Sequence, residues 1–366
     1  MSYSSSFWEK DSFLKPYDLA IVGAGIVGLS SALFYKQQNP SARVAVLERG
    51  FLPQGASTRN AGFACVGSIG EHLADMEKDS EENIKERIKR RYEGLELLKQ
   101  TLGEEAIGYE HCGGYEFFKS RKKFEKVSAQ IDRFNGWMRA LINENEVYSK
   151  DELQGYPVIR NRLEGALHPG KMMEALAKKV SSVGVDIKWN SRVEDATKDG
   201  IVSIANGLEI ESDKVLFAAN GFVQRLLPEL EINPARGFVM VTNEQENFPW
   251  KGIFHHDRGY VYFRNVGNRL LIGGARNLDK EGEQTDQFGT NGTIKLHLKE
   301  FVSGVLGCGS DWNIDYEWSG IMGFSPTKTP IVKQLDRNRF VAAGLSGMGI
   351  AIGMEVGRGV SEMLES

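Results

Sequence analysis

Hydrophobic positions fall into two kinds of stretch along the chain. Short apolar runs at 18–22 (DLAIV), 43–47 (RVAVL), 185–189, 214–221 and 338–343 read as strands, and 192–196 as another extended piece. Helical spacing covers 26–38, 171–183 and 350–364. From about 71 to 150 the pattern is helical and heavily charged, with one apolar stripe through Ile84, Ile88, Tyr92, Leu95 and Leu98. Within that block 113–118 reads as a strand. Residues 259–264 alternate, so Tyr260, Tyr262 and Arg264 share one face while Val261 and Phe263 share the other. After a turn at 266–268, the run 269–276 returns as the hairpin partner. Strands and helices so ordered predict an α/β fold.

The first strand, helix and second strand enclose a glycine pattern. Gly23, Gly25 and Gly28 fill G-x-G-x-x-G, and Glu48 closes the second run twenty positions after Gly28 (48 − 28). Gly23 permits the tight turn, Gly25 lets the backbone approach a pyrophosphate, and Gly28 lets helix and strand pack closely. The first helical turn, with Ile26 and Val27, turns its N–H groups and positive dipole end toward the diphosphate. An acid at Glu48 accepts hydrogen bonds from ribose hydroxyls, so an ADP moiety without a 2′-phosphate is expected.

Composition narrows the function. The chain has 366 residues, long enough for one large domain or two that share a sheet, with 45 basic and 49 acidic residues and a net charge of −4. That balance argues against nucleic acid or an anionic membrane as the main partner. The basic clusters at 85–91 and 121–123 have acids close by and read as solvated helix faces. No stretch reaches the roughly 20 apolar residues of a membrane span, and residues 1–16 carry no basic leader. Three cysteines, Cys65, Cys112 and Cys308, form no C-x-x-C and fit a reducing cytoplasm without a metal or disulfide framework. His255 and His256 show no acid partner in the sequence and read as surface or hydrogen-bonding histidines. No Ser/His/Asp or Cys/His arrangement suggests acyl transfer.

After Glu48 and Arg49 comes a loop of small residues, GASTRNAG at 55–62. Small residues let backbone lie against a flat ligand, and Arg59 can offset phosphate charge. This loop resembles the GASGRNGG loop of the D-amino-acid-oxidase superfamily of FAD-dependent oxidoreductases, in its gamma-glutamylputrescine oxidase, glycine oxidase and sarcosine oxidase branch. Phe7-Trp8 before Tyr17, the hairpin 262–274, Trp318-Ser-Gly320, Thr329-Pro330 and 343–347 match the same superfamily, so the likeness covers nearly the whole chain.

The resemblance implies a two-domain flavoprotein: a Rossmann-like FAD domain from 17–85, 151–234 and 329–366, a mixed-sheet substrate domain from 86–150 and 235–328, and a tail at 1–16. FAD would be held by Gly23, Gly25, Ile26, Val27, Gly28, Glu48, Arg49, Ser57, Thr58, Arg59, Asn60, Ala61 and Gly62. Val193 would sit near the adenine, although an ordinary core strand residue explains it equally. Ala219, Asn220, Gly221, Gly320, Gly347, Met348, Gly349 and Ile350 would complete the cofactor site. Gly347, Gly349 and Gly353 superficially repeat the dinucleotide motif with one residue too many, and a helix start there suits the pyrimidine edge of a flavin instead.

The activity so implied is oxidation of a C–N bond in a small amine or amino acid by hydride transfer to flavin N5. The imine is then hydrolysed, and oxygen or an electron carrier reoxidises the flavin. A dehydrogenase serving a quinone or carrier protein, and a non-catalytic FAD-binding module, remain the alternatives. No flavin tether is expected, because Ile321 and Arg59 stand where tethered relatives carry cysteine and histidine. Tyr260, Tyr262, Arg264, Arg276, Met322 and Met348, with Phe324, are the candidate substrate contacts, none an evident acid or base. Met322 falls where relatives clamp a substrate carboxylate with arginine, and Leu271 where sarcosine oxidase has a lysine. A substrate without a carboxylate on its reacting carbon is therefore expected, unless Arg264 or Arg276 has taken over that contact.

Overall fold

The computed structural model describes residues 4–246, 248–308 and 311–365. Two compact units divide the chain. One comprises Met1–Arg59, Gly170–Ala235 and Ile321–Ser366, the other Asn60–Pro169 and Arg236–Gly320. The chain thus crosses at 59/60, 169/170, 235/236 and 320/321, against expected crossings at 85/86, 150/151, 234/235 and 328/329. The expected 85/86 point lies inside the unbroken helix Glu81–Leu102, which Ser80 caps by accepting the Asn83 N–H.

The first unit is built on a largely parallel sheet in the order Ile331–Gln334, Arg339–Ala343, Glu209–Phe217, Tyr17–Val22, Val44–Leu47, Asp186–Lys188. Only Ile331–Gln334 runs antiparallel to its neighbour. An antiparallel ribbon, Val193–Ala196 with Ile201–Ile204, extends from Glu209–Phe217. Tyr17–Val22 lies at the centre, nearly all buried, as its apolar run requires. The helices Ile26–Gln38 and Gly349–Glu365 pack together through small residues. A Cβ on Gly353 would lie 2.6 Å from Ile26 Cγ2, and the Ser30 hydroxyl donates to the Gly353 carbonyl at 3.2 Å. Before the sheet, Ser6 and Glu9 form a reciprocal cap on the short helix Phe7–Ser12.

The second unit carries a mixed eight-stranded sheet in the order Ile314–Phe324, Asn233–Thr242, Arg269–Gly274, Val261–Val266, Ile253–His256, Gly114–Phe117, Tyr156–Asn161, Tyr148–Leu153. The hairpin falls where alternation predicts it, with Tyr262 opposite Gly273 and Arg264 opposite Leu271. Val261 and Phe263 enter an aromatic core with Phe117, Trp250, Phe254 and Phe301. Rings of Phe254 and Phe263 stack with centroids 4.6 Å apart, and the buried Trp250 indole N–H donates to Leu306 O at 3.0 Å. The other hairpin face carries Tyr262 and Leu271 into a small cluster with Ala61, Val239, Val241, Phe63 and Trp318. Among the described residues no helix is long and apolar enough to cross a membrane, and all three cysteines are free.

Candidate functional site

In the first unit the glycine pattern forms the turn its spacing predicts. Gly23 has φ of +108°, and its N–H donates to Leu47 O at 2.9 Å. A Cβ on Gly28 would overlap the Gly23 carbonyl oxygen, so helix and turn meet at a distance only glycine allows. Gly25 caps the helix Ile26–Gln38 without a side chain. Ile26 N–H donates to Ser57 Oγ at 3.0 Å, which draws the short helix Ala56–Arg59 to the turn. Thr58 closes that helix on Pro53 O.

Glu48 is buried. One carboxylate oxygen accepts the Ala24 N–H and the other the Gly50 N–H, each at 3.0 Å. Burial raises its pKa, while the two N–H groups and Arg49 oppose the rise. Each oxygen accepting one N–H keeps acceptor capacity for a hydroxyl. The Arg49 guanidinium stacks on Phe222 at 3.7 Å, and burial lowers the Arg59 pKa. Val193 packs in the hydrophobic core beside Tyr17, Leu47 and Val202.

Two further turns of this unit are tied together. Asn220, at φ of +45°, follows Ala219, and its Oδ1 accepts the Gly344 N–H at 3.0 Å and the Leu345 N–H at 3.4 Å. A Cβ on Gly221 would stand 2.5 Å from Met322 O. Gly347 has φ of +84°, and a Cβ on it would lie 3.8 Å from the Met322 sulfur. Met348 N–H bonds Leu345 O at 2.9 Å, and the helix Gly349–Glu365 starts immediately, with Ile350 buried. A glycine turn meeting a helix start, a buried acid beside it and a second helix start at Gly349 fit the ADP and flavin ends of FAD.

In the second unit, Asn60 Oδ1 accepts the Gly62 N–H at 2.8 Å. Arg264 is buried, and Nε and Nη1 of its guanidinium donate to backbone. Nη1 donates to Gly62 O at 3.0 Å, Leu167 O at 2.9 Å and Ala61 O at 3.4 Å, and Nε donates to Asn265 O at 3.0 Å. The Tyr262 ring lies over glycines, since a Cβ on Gly273 would come 2.7 Å from its Cε2. Burial pushes the Tyr262 phenol up to about 12, so it stays protonated. Tyr260 precedes the strand, partly exposed, and its carbonyl accepts the Ala275 N–H at 2.6 Å. Arg276 opens a short 3-10 turn, and burial lowers its pKa. Gly320 lies in the strand Ile314–Phe324.

The histidines need a correction. His255 is buried and its Nε2 lies 3.2 Å from Glu164 Oε2, an acid 91 residues away in sequence that no local pattern reveals. Burial pulls its pKa down, but Glu164 outweighs this and raises it. His256 fits the hydrogen-bonding role, with Nδ1 at 3.0 Å from Phe117 O.

Residues 18–363 match the family model described as "FAD dependent oxidoreductase" (DAO). The chain is 25% identical over 368 residues to gamma-glutamylputrescine oxidoreductase of Escherichia coli K12, covering 95% of this chain and 83% of that protein. It is 23% identical to a probable oxidoreductase OrdL of Rhizobium meliloti, covering 94% and 82%. Among solved structures, glycine oxidase from Geobacillus kaustophilus superposes with a TM-score of 0.77 at 20% identity, covering 96% of this chain and 95% of that one. L-proline dehydrogenase from P. horikoshii gives 0.76 at 16% identity, covering 95% and 93%. A family model spanning almost the whole chain, on a fold shared with flavoprotein oxidases, places this chain in the DAO family of FAD-dependent oxidoreductases.

Proposed function

We propose that the enzyme oxidises the C–N bond of a small amine whose reacting carbon bears no carboxylate, with FAD held non-covalently. The observation that carries this reading is the commitment of Arg264. Its Nε and Nη1 hold four backbone carbonyls, so one of the two cations offered for a carboxylate, Arg264, is tied to backbone. Met322 stands where the resemblance puts a carboxylate-binding arginine in other members. The names of the relatives, one acting on gamma-glutamylputrescine and others on glycine or proline, support an amine or amino-acid donor.

The chemistry supplied by bound FAD is two-electron oxidation, by hydride transfer from the carbon bearing nitrogen, with the imine then hydrolysed and the electrons passed to oxygen. This chain's residues position and shield. Gly23, Gly25, Gly28, Glu48 and Ser57 hold the ADP half, and the turn at Gly347–Gly349 holds the flavin end. Tyr262, Leu271 and Trp318 supply an apolar wall that offers no base. An apolar wall also favours the neutral amine, the form able to react, by lowering its pKa. Ile321 and Arg59 provide no tether for the flavin.

Matched substrates test the reading. Ethylamine against alanine and methylamine against glycine differ only by the carboxylate on the reacting carbon. Without a partner for that anion, kcat/KM should favour the amine of each pair by roughly 10–100-fold. A preference for the carboxylated member would reject the reading, with Arg276 then the residue to substitute.

A further inference from the structure

Three side chains able to ligate metal meet inside the second unit. Cys65 Sγ, a carboxylate oxygen of Glu164 and a ring nitrogen of His255 lie within 4.8 Å of one another, and all three residues are buried. They arrive from separate elements. Cys65 follows the strand Phe63–Ala64, Glu164 precedes its antiparallel partner Gly165–Ala166, and His255 belongs to Ile253–His256 of the large sheet.

The spacing of the three ligand atoms is close to what a four-coordinate zinc requires. Zinc with bonds of about 2.0–2.3 Å sets neighbouring donors about 3.3–3.8 Å apart. His255 Nε2 and Glu164 Oε2 already stand 3.2 Å apart, and Cys65 has to close by only about 1 Å. The other oxygen of Glu164 accepts the Val66 N–H at 3.0 Å and the Gly67 N–H at 2.9 Å. Those two N–H groups leave Oε2 for the centre and fix the carboxylate, as outer partners of metal ligands do. Gly114 makes the room, since a Cβ there would overlap Glu164 Oε2. Phe63 sets the imidazole plane, its ring edge-on to His255 at 5.3 Å.

A second observation is independent of those three residues. His72 is buried, and its Nε2 has no hydrogen-bond partner among the described residues. It lies against Gly67, where a Cβ would stand 2.9 Å from that nitrogen, and Gly67 is one of the residues holding Glu164. An ordered water would meet that nitrogen.

We propose that Cys65, Glu164 and His255 bind a thiophilic divalent cation of the zinc class, with a water completing four-coordination. The ion pins the segment that follows the flavin loop to the substrate-side sheet. Cys65 binds as thiolate, its proton released to solvent, and His255 binds through a neutral ring nitrogen.

The test uses untagged, FAD-loaded enzyme prepared without chelators, stripped of metal and then supplied with Zn2+ or Co2+. Elemental analysis should return about one zinc per chain. Cobalt should give the intense d–d bands of a tetrahedral thiolate site, to the red of flavin absorption. Cys65→Ser should abolish those bands, and His255→Gln should weaken zinc binding by at least roughly tenfold, while Cys112→Ser changes neither. Flavin content and circular dichroism report whether each variant is folded. Wild-type enzyme that binds no zinc and shows no thiolate–cobalt spectrum overturns the proposal even if a variant fails to fold. So does a tetrahedral cobalt spectrum that persists in Cys65→Ser, and either result leaves a plain buried Glu164–His255 ion pair.

Discussion

Gly28 sits directly over the carbonyl of Gly23, so close that a Cβ on Gly28 would overlap that oxygen. The neighbour is backbone at the turn itself, so it cannot swing aside. Gly28→Ala should therefore push the helix start away from the pyrophosphate position. Overpacking of this kind costs about 1–3 kcal/mol, a roughly 5–150-fold loss of FAD affinity. Flavin fluorescence quenching on titration measures it. Gly359→Ala is the control: Gly359 lies in the helix Gly349–Glu365, and a Cβ there meets nothing within 4 Å. Unchanged FAD affinity in Gly28→Ala would show that the turn does not set the cofactor position.

Glu48 gives the second prediction. Glu48→Gln replaces one acceptor oxygen with an amide that faces a backbone N–H of Ala24 or Gly50. FAD affinity should fall by about 10–100-fold, the size of a lost charged hydrogen bond. The pH dependence follows from burial, which raises the carboxyl pKa. The ionised acceptor is present above that raised pKa and is lost as pH falls through it. FAD binding should therefore weaken at a higher pH than an exposed carboxylate would dictate, and this dependence should vanish in Glu48→Gln.

Arg264 separates structure from recognition. Arg264→Met would leave the carbonyls of Gly62 and Leu167 without their shared donor, and the fold should lose at least about 3 kcal/mol. Denaturant midpoints measure the loss. The kcat/KM ratio between ethylamine and alanine should not change, because Nε and Nη1 of the guanidinium donate to backbone. A ratio that moves while stability holds would return Arg264 to the substrate.

What could be seen in the sequence divides along the same line. The glycine turn, the helix Ile26–Gln38, the parallel strands and the hairpin facing of Tyr262 and Phe263 rest on spacings of a few residues, which periodicity and turn chemistry expose. The partners of Arg264 are contributed by Gly62 and Leu167, and that of His255 by Glu164, all brought in by strand pairing across long stretches of chain. No local pattern marks such pairs, so Arg264 read as a possible substrate contact and His255 as lacking an acid. Val193 shows the limit in the other direction, because a strand residue in a core cluster looks the same in sequence whether or not a ligand lies nearby.

Tyr17 provides a test of stability against pH. Its phenol donates to Asp186 Oδ2 at 3.0 Å, linking the central strand to the sheet edge. Burial, and then the charge of Asp186, push its pKa up to about 12. An acid with a raised native pKa holds its proton longer folded than unfolded. Its stabilising contribution is therefore complete below the unfolded value of about 10 and is lost as pH rises through about 12. Tyr17→Phe should lower stability by about 1 kcal/mol at neutral pH and flatten this alkaline decline. Urea midpoints across that range measure both.

Delivery of electrons from an amine to FAD held by this chain can be followed directly in the flavin absorbance. Purified enzyme, mixed under argon with putrescine, an N-substituted putrescine or a short alkylamine, should show loss of the oxidised-flavin absorbance band. Glycine and D-alanine should leave that band in place over the same interval. Admitting air should restore the band and release peroxide in step with the amine consumed. Rapid bleaching by glycine or D-alanine with every amine inert, or an enzyme that stays colourless after incubation with FAD, would contradict the proposed function.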